Sequence, residues 1–281
     1  MGKKKLSLVL EGGGMRGAYT AGCLSWLIDE GIEFDGAYGI STGAVHLTTF
    51  LFKNKKWLFD ASTKIIADKK YIGLNAYLKA GQLVDYDSMF KYFKDNYGFD
   101  IADLKADTKG RIGLYDLNLG ETVFFDTSDM NMELLKAACS LPLLGKTTKH
   151  NGHKYLDGGI TKMIPIEEAI KDGYEKHLII TTKPIDYIRK PSSKFVCKLM
   201  SIVYKNCPNM AKDYEVRHIN YIKQINIIND LVNKGDALYR YPTKKTNVTR
   251  LGGSEEELVS LFEMGRNDME NMREEIYKLI K

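Results

Sequence analysis

The chain has 281 residues, 41 of them Lys or Arg and 36 Asp or Glu, which gives a net charge of +5 at pH 7. Hydrophobic residues make up 44% and charged residues 27%, which is typical of a globular protein and excludes a disordered chain or a fibre. The basic residues form no block along the sequence, which argues against nucleic-acid binding.

The cysteines and the N-terminal segment indicate the compartment. The chain has four cysteines, Cys23, Cys139, Cys197 and Cys207. They form no C-x-x-C pair and have no histidine partners at zinc spacing, so a reduced chain without a structural metal is expected. The apolar stretch that follows the basic N-terminus is too short for a signal peptide. No segment reaches the roughly 18 apolar residues of a membrane span. We therefore expect a soluble, cytoplasmic protein.

The first elements in chain order are a strand, a glycine-rich turn and a helix. Residues 6–10 form a short apolar strand that runs into Gly12, Gly13 and Gly14, and a helical pattern follows. Consecutive glycines lack Cβ atoms, so their N–H groups can point into one small space, and the helix N-terminus adds a partial positive charge. The turn therefore predicts an anion-binding site.

Two functional interpretations of this turn remain open, beside a plain tight turn. Gly12, Gly14 and Gly17 match the dinucleotide-binding pattern G-x-G-x-x-G, and Glu33 follows at about the distance expected of a ribose-binding acid. Alternatively, the N–H groups form an oxyanion hole that stabilises a tetrahedral intermediate. Taken alone, the motif favours the nucleotide.

A second turn with a chemical signature follows soon after. Gly39, Ile40, Ser41, Thr42 and Gly43 match G-x-S-x-G, between a predicted strand and a helix over residues 42–52. This context is typical of a nucleophile elbow, where small neighbours leave room for the serine hydroxyl. In a parallel sheet both turns emerge at the same carboxyl edge. An acyl-transfer site uses both turns, whereas a dinucleotide site leaves the serine as a helix cap.

The remaining elements continue the alternation of strands and helices, which predicts one α/β domain. In order they are a mostly helical segment over 53–110, strands over 111–116 and 121–125, an Asn-Gly turn at 150–153, a strand over 178–182, helices over 186–234, a strand over 237–241 and, after a capping box of Ser254 and Glu257, a terminal helix over 255–281.

The general base that a serine nucleophile needs has one strong candidate. Asp157 is followed by Gly158 and Gly159 at the end of a predicted strand. If Asp157 is desolvated beside Ser41, its proton affinity rises enough for it to act as a base. The alternative is that the Asp-Gly sequence is an ordinary turn.

The five histidines are weaker candidates for the base. His46 lies on the helix after Ser41 and is expected to point away from the hydroxyl. His150 and His153 flank the Asn-Gly turn and are expected to be solvated. The residue order of a Ser-Asp-His triad leaves His177 and His218 as candidates, but the first is predicted at the opposite end of a strand and the second in a lysine-rich helix.

Together the motifs G-G-G-x-R-G, G-x-S-x-G and D-G-G resemble those of the patatin-like phospholipase family. Residues 138–142, small residues closed by a proline, also resemble the family pattern, and the resemblance covers residues 5–185. It implies an α/β protein with a three-layer α/β/α fold and a mostly parallel central sheet. Residues 186–281 are then a mostly helical extension packed on the same domain.

The resemblance also implies a function. Ser41 would be the nucleophile and Asp157 the base of a Ser-Asp dyad that hydrolyses acyl esters of lipids through an acyl-enzyme, without a histidine, metal or cofactor. The base turn would include Gly158 and Gly159. Glu11 departs from the residue found before the glycines in many members, and is not expected to affect the chemistry.

The resemblance assigns the oxyanion hole to one loop, made of Gly12, Gly13, Gly14, Met15, Arg16 and Gly17. The N–H groups of Gly13 and Gly14, with that of Met15, would hold the oxyanion, and Arg16 would brace the loop.

The segment 186–234 leaves a question of partners open. Its apolar residues alternate with four lysines, Lys190, Lys194, Lys198 and Lys205. The segment either packs on the domain with its lysines in solvent, or lies against an anionic membrane surface with its apolar face inserted. A noncatalytic lipid-binding protein is the alternative to an acyl hydrolase.

Overall fold

A computed structural model of the protein describes residues 4–98, 100, 103–104, 109–207 and 209–281. Its strands are β1 (Leu6–Leu10), β2 (Gly36–Ile40), β3 (Gly110–Asp116), β4 (Glu121–Asp126), β5 (Thr148–His150), β6 (His153–Asp157), β7 (Lys176–Ile180) and β8 (Ala237–Arg240). Its helices are α1 (Gly17–Asp29), α2 (Thr42–Leu51), α3 (Lys55–Asp60), α4 (Leu74–Ala80), α5 (Tyr86–Tyr97), α6 (Met132–Cys139), α7 (Ile166–Lys171), α8 (Lys194–Val203), α9 (Asn209–Glu215), α10 (Arg217–Asn233), α11 (Glu255–Glu270) and α12 (Arg273–Ile280).

The strands found in these residues form one mixed sheet in the order β5-β6-β3-β2-β1-β7-β8, with β4 paired to β3. Five strands, from β3 to β8 in that order, run parallel, and β4, β5 and β6 add antiparallel pairs at one end. All five residues of β1 are buried, as expected of a parallel strand covered on both faces. The predicted mostly parallel sheet is confirmed.

Helices cover both faces of the sheet. Two successive residues of β1 show this, because Leu8 packs into a core shared with α1, α2 and α11, whereas Val9 packs into a second core with α7 and α10. The two cores put the sheet between two helical layers. The predicted three-layer α/β/α architecture is therefore confirmed.

The C-terminal segment differs from its prediction in two places. The capping box of Ser254 and Glu257 is present and begins α11, but the predicted single helix over 255–281 is two helices. The chain turns at Asn271 and Met272, which lets α12 bury Ile276 in the core. Residues 186–193, predicted as helix, precede α8 without forming one. In the segment predicted helical over 53–110, positions 99, 101–102 and 105–108 lie outside the described residues.

The helices and the ionisable side chains of the described residues are relevant to membranes and metals. None of the helices there combines the length and the apolar character that crossing a bilayer requires. The same residues contain no cluster of three or more His, Cys, Asp or Glu side chains that could hold a metal ion. The four cysteines are free thiols.

Candidate active site

The G-x-S-x-G segment forms the sharp turn predicted for it. Ser41 lies between the end of β2 and the start of α2, with φ 57° and ψ −129°. A non-glycine residue at positive φ is strained and persists only when its surroundings hold it there. Gly39 and Gly43 flank the turn, and Ile40 and Thr42 complete it. The turn therefore presents the Ser41 side chain at the carboxyl edge of the sheet.

Asp157 ends β6 and is almost completely buried. The N–H of Gly159 donates a 2.8 Å hydrogen bond to its Oδ1, which fixes the carboxyl on the turn begun by Gly158. Burial raises the pKa of Asp157 above its ordinary value, because the charged form loses hydration. The hydrogen bond from the Ser41 hydroxyl opposes this rise, as does that from Gly159.

The strand pairing explains how Ser41 and Asp157 meet. β4 occupies one edge of β3, so β2 and β6 share the other edge and approach each other end to end. The register places Ile40 beside Gly113 and Asp157 beside Leu114. Ser41, which follows Ile40, and Asp157 therefore face each other where the two strands end, and both line one cavity.

The glycine-rich loop lines the same cavity. Its start lies so close to the elbow that a Cβ on Gly12 would be 2.6 Å from Ser41 Cβ. The backbone N–H groups of Gly12, Gly13 and Gly14 have no acceptor among the described residues. Unpaired donors beside a nucleophile are the requirement for an oxyanion hole. Gly14 has φ +60° and a Cβ there would collide with the carbonyl of Arg250, so only glycine fits.

The rest of the predicted loop needs correction. The N–H of Met15 donates to the carbonyl of Arg250 at 3.0 Å, and that of Gly17 donates to the carbonyl of Gly14, so neither is free for an oxyanion. Arg16 was expected to brace the loop, but its side chain makes no hydrogen bond to the described residues and lines the cavity instead. Of the predicted loop, only Gly12, Gly13 and Gly14 thus keep backbone N–H groups without an acceptor in the described structure.

Glu11 and two residues that the sequence did not single out brace the loop. The Glu11 carboxylate accepts hydrogen bonds from the N–H (2.7 Å) and hydroxyl (3.0 Å) of Thr182 and forms an ion pair with Lys183. Both charged side chains are buried. Burial lowers the pKa of Lys183 to about 8, and the charge of Glu11 opposes that shift. The departure at Glu11 therefore has a structural role at the base of the loop.

Two histidines are buried near or beyond the elbow without a hydrogen bond to Ser41. His46 Nε2 lies 3.4 Å from Thr42 Oγ1, and burial lowers the pKa of His46 to about 4. His177 lies at the opposite end of the sheet, with Nδ1 2.8 Å from Ser7 Oγ, and burial lowers its pKa to about 4 as well. In the described structure neither ring is hydrogen-bonded to Ser41 or Asp157.

The other histidines also lie outside the site. His153 was expected to be solvated, but its Nδ1 lies 2.6 Å from Asp116 Oδ2 and the ring is half-buried. This correction follows from the β5–β6 hairpin, which folds back over the end of β3. His150, also expected to be solvated, is half-buried against the ring of Phe125. His218 lies on α10, with Nδ1 3.1 Å from the carbonyl of Glu215.

The dinucleotide interpretation loses its second residue. Glu33 is exposed, precedes β2 and pairs with Lys53 at 2.8 Å. It therefore lies at the amino end of β2, whereas the glycine loop follows the carboxyl end of β1, and these two strands are parallel. An acid at that end of the sheet cannot reach a ribose bound at the loop.

Two cavities meet at Ser41. The first is mostly apolar and its lining includes Val45, Ile66, Ile72, Val84, Met89, Phe93 and Leu251. The second holds Asp157, the glycine loop and five cationic side chains, Arg16, Lys183, Arg189, Arg217 and Arg250. Ser41 and Arg250 line both. The arrangement offers an apolar space and a cationic space that both border Ser41.

Comparison with known proteins gives matches over nearly the whole chain. A family model described as Patatin-like phospholipase matches residues 8–170, and one described as a domain of unknown function, DUF6363, matches residues 207–281. A protein of Invertebrate iridescent virus 6 named "Probable lipid hydrolase 463L" is 22% identical over 283 residues, covering 94% of this chain and 91% of the viral one.

Two further matches concern bacterial proteins. The "Uncharacterized protein YjjU" of Escherichia coli K12 is 25% identical over 194 residues, which cover 64% of this chain and about half (52%) of that protein. The crystal structure of VipD from Legionella pneumophila superposes with a TM-score of 0.53 at 10% identity, covering 97% of this chain and 67% of VipD. At that identity the likeness to VipD supports the fold alone.

Proposed function

Because the chain belongs to the patatin-like phospholipase family, we propose that it is a serine acyl hydrolase that cleaves carboxylic ester bonds of lipids, in the manner of a phospholipase A, lysophospholipase or lipid esterase. Its similarity to a protein named as a probable lipid hydrolase supports this class of substrate. One observation carries the proposal: Ser41, Asp157 and the unpaired N–H groups of the glycine loop line a single cavity.

The mechanism assigns a role to each group. Asp157 accepts the proton of Ser41 Oγ as the oxygen attacks the ester carbonyl, which its raised pKa favours. The N–H groups of Gly13 and Gly14 stabilise the oxyanion of the tetrahedral intermediate. The alcohol or lysolipid leaves, and water activated by Asp157 then hydrolyses the acyl-enzyme. The apolar cavity beside Ser41 accommodates the acyl chain.

Covalent labelling tests this proposal directly. A fluorophosphonate should modify Ser41, located by peptide mass spectrometry, because only an activated serine attacks such a reagent at neutral pH. Ser41→Ala should abolish labelling, whereas Ser201→Ala, an exposed serine on α8, should label like the parent. Modification at another residue would contradict the assignment. Absence of any label, with retained binding to lipid vesicles, would instead indicate a noncatalytic lipid-binding protein.

We further propose that α8 contacts an anionic membrane surface. One face of α8 packs through Met200 into a core with Leu156, but Phe195, Ile202 and Val203 on its other side are exposed. Four lysines lie in or beside this helix, Lys190, Lys194, Lys198 and Lys205. Apolar side chains flanked by lysines are the pattern of a helix that lies in a membrane interface.

The position of α8 fits that role. Tyr204, the residue after α8, accepts a 3.1 Å hydrogen bond on its hydroxyl from the N–H of Leu143. Leu143 belongs to the loop whose Leu141 lines both cavities at Ser41. A bilayer against α8 would therefore lie beside the loop that borders the site.

Vesicle binding tests the membrane contact. Phe195→Ser with Ile202→Ser should raise the lipid concentration for half-maximal co-sedimentation with anionic vesicles at least about tenfold, because each buried apolar side chain contributes about 1.5–3 kcal/mol. Ile170→Ser, an exposed position on α7, is the matched control and should bind like the parent. The proposal would be contradicted if the parent did not bind at low salt, or if the Phe195→Ser, Ile202→Ser double variant bound as well as the Ile170→Ser control.

A further inference from the structure

The second cavity is lined by five cationic side chains, and the proposed mechanism assigns a catalytic step to none of them. Arg189, Arg217 and Arg250 line it together with Asp157. We propose that these three arginines form a phosphate-binding subsite that holds the headgroup of a phospholipid or lysophospholipid substrate. The inference rests on the proposed acyl hydrolase function, because it assigns the substrate class of the same site.

The first argument is that these arginines lack anionic partners. In the described part of the chain, none of the three guanidinium groups forms an ion pair with a carboxylate, although other arginines do: Arg111 pairs with Asp172. Arg217 Nε and Nη2 donate to the carbonyl of Gly159, at 3.1 and 2.7 Å, which is a neutral acceptor and supplies no counter-charge. Arg217 is buried and Arg189 and Arg250 are half-buried, and a buried cation is costly unless an anion accompanies it.

The surrounding charges do not supply that anion. Glu11 is already neutralised by Lys183, and the single carboxylate of Asp157 faces three arginines and also Arg16, whose Nε has no hydrogen-bond partner in the described structure. A cavity with four guanidinium groups and one free carboxylate therefore has an excess of positive charge. A bound anion would remove that excess.

The arginines are close enough to repel one another. Burial, followed by the charges of Arg189 and Arg250, lowers the pKa of Arg217 to about 10. Burial and the charge of Arg250 also lower the pKa of Arg16. Guanidinium groups that line one cavity can donate hydrogen bonds in pairs to the oxygens of a phosphate.

The position relative to Ser41 selects a lipid phosphate. The linings of the apolar cavity and the arginine cavity share Ser41 and Arg250, so Ser41 lies where the two cavities meet. In a phospholipid, the ester carbonyl lies between the acyl chain and the phosphate in the same order. A substrate with its ester at Ser41 would thus place its chain in the apolar cavity and its phosphate among the arginines.

The subsite also gives the C-terminal segment a role at the active site. Arg217 begins α10 and Arg250 lies in the loop between β8 and α11, so both fall within residues 207–281, outside the residues matched by the phospholipase model. The carbonyl of Arg250 also accepts the N–H of Met15 in the glycine loop. The segment thus contributes side chains that the family motifs do not contain.

The test compares substrates that differ only in the phosphate. Arg189→Gln with Arg250→Gln should lower kcat/KM for a lysophospholipid by roughly 10–100-fold, since a charge-assisted hydrogen bond contributes about 1.5–3 kcal/mol. The same enzyme should stay within about threefold of the parent on a monoacylglycerol with the identical acyl chain. Arg217 is left unchanged because its contact with Gly159 supports the turn. Arg273→Gln, which removes a distant arginine, is the control.

Each other outcome overturns the subsite. An equal loss on both substrates would mean that the arginines only support the fold, and no loss on either would mean that they do not contact substrate.

Inorganic phosphate should inhibit the parent competitively and the double variant at least about tenfold more weakly. Inhibition weakened in this way without any change for the lysophospholipid would assign the site to free phosphate.

A binding measurement separates this inference from the proposed function. Ser41→Ala should bind a monomeric alkyl phosphodiester, measured by calorimetry, and the added Arg189→Gln and Arg250→Gln substitutions should weaken that binding at least about tenfold. If the parent hydrolyses no ester but this binding difference is present, the hydrolase proposal fails and the subsite stands. Equal binding in both variants refutes the subsite whatever the activity.

Discussion

Ser41→Ala and Asp157→Asn should each lower kcat for hydrolysis of a chromogenic acyl ester by about 10⁴-fold, as expected when a nucleophile or its base is removed while the rest of the site remains. Without Ser41 no acyl-enzyme forms. Without the Asp157 carboxylate the Ser41 hydroxyl keeps its proton, and no histidine of the described structure is hydrogen-bonded to it in place of the carboxylate. Initial rates with active-site titration provide the measurement.

Two matched substitutions control for the chemistry of the change. Ser201→Ala and Asp172→Asn alter the same residue types away from the cavity and should keep kcat within about threefold. Loss of activity in His177→Asn or His218→Ala as large as in Asp157→Asn would replace the dyad with a triad. Full activity of Asp157→Asn would remove Asp157 as the base.

Asp157 should also make both the rate and the stability depend on pH. Only the ionised carboxylate can accept the proton, so kcat/KM should fall as pH drops through the pKa of Asp157, which burial raises from its ordinary value. The sign for stability is opposite. When a carboxyl has a higher pKa in the folded than in the unfolded state, the protein becomes less stable as pH rises through the unfolded-state pKa and then the folded-state pKa. Asp157→Asn should therefore unfold at least as high in temperature as the parent at pH 7.

Much of the fold was predictable because its elements have strong local patterns. The apolar run of β1, the glycine loop and the elbow at Ser41 follow from residue types alone, and the alternation of strands and helices gives the sheet. The Asn-Gly turn between β5 and β6 was predictable for the same reason, since Asn151 and Gly152 both have positive φ.

The features that the sequence did not predict depend on tertiary contacts. The end-to-end meeting of β2 and β6 results from β4 taking the other edge of β3, which no local pattern encodes. The use of the Met15 N–H by Arg250 and the pairing of His153 with Asp116 join residues far apart in the chain. The uncompensated arginines could have been found only by knowing where the C-terminal segment packs.

The second large effect is expected on stability, at the buried pair of Glu11 and Lys183 that braces the glycine loop. Glu11→Gln should lower the free energy of unfolding by about 3–5 kcal/mol, because it leaves the Lys183 ammonium buried without its counter-charge. Denaturant unfolding at fixed pH measures the change. Glu33→Gln removes an exposed partner of Lys53 and should cost less than about 1 kcal/mol, which makes it the matched control.

A double-mutant cycle and its pH dependence identify the cause. Lys183→Met should be destabilising for the reciprocal reason, and the double variant should be less destabilised than the sum of the two, because it leaves no unpaired charge.

In the parent, burial already lowers the pKa of Lys183 to about 8. Without Glu11 that pKa falls further, so Lys183 loses its proton at lower pH when folded. The unfolded chain then binds more protons over a wider range, and the deficit of Glu11→Gln should shrink as pH rises from 6 to 9. If the losses of stability in Glu11→Gln and Lys183→Met add in the double variant, and if the loss in Glu11→Gln does not change with pH, then the hydrogen bonds to Thr182, and not the charges, stabilise the base of the loop.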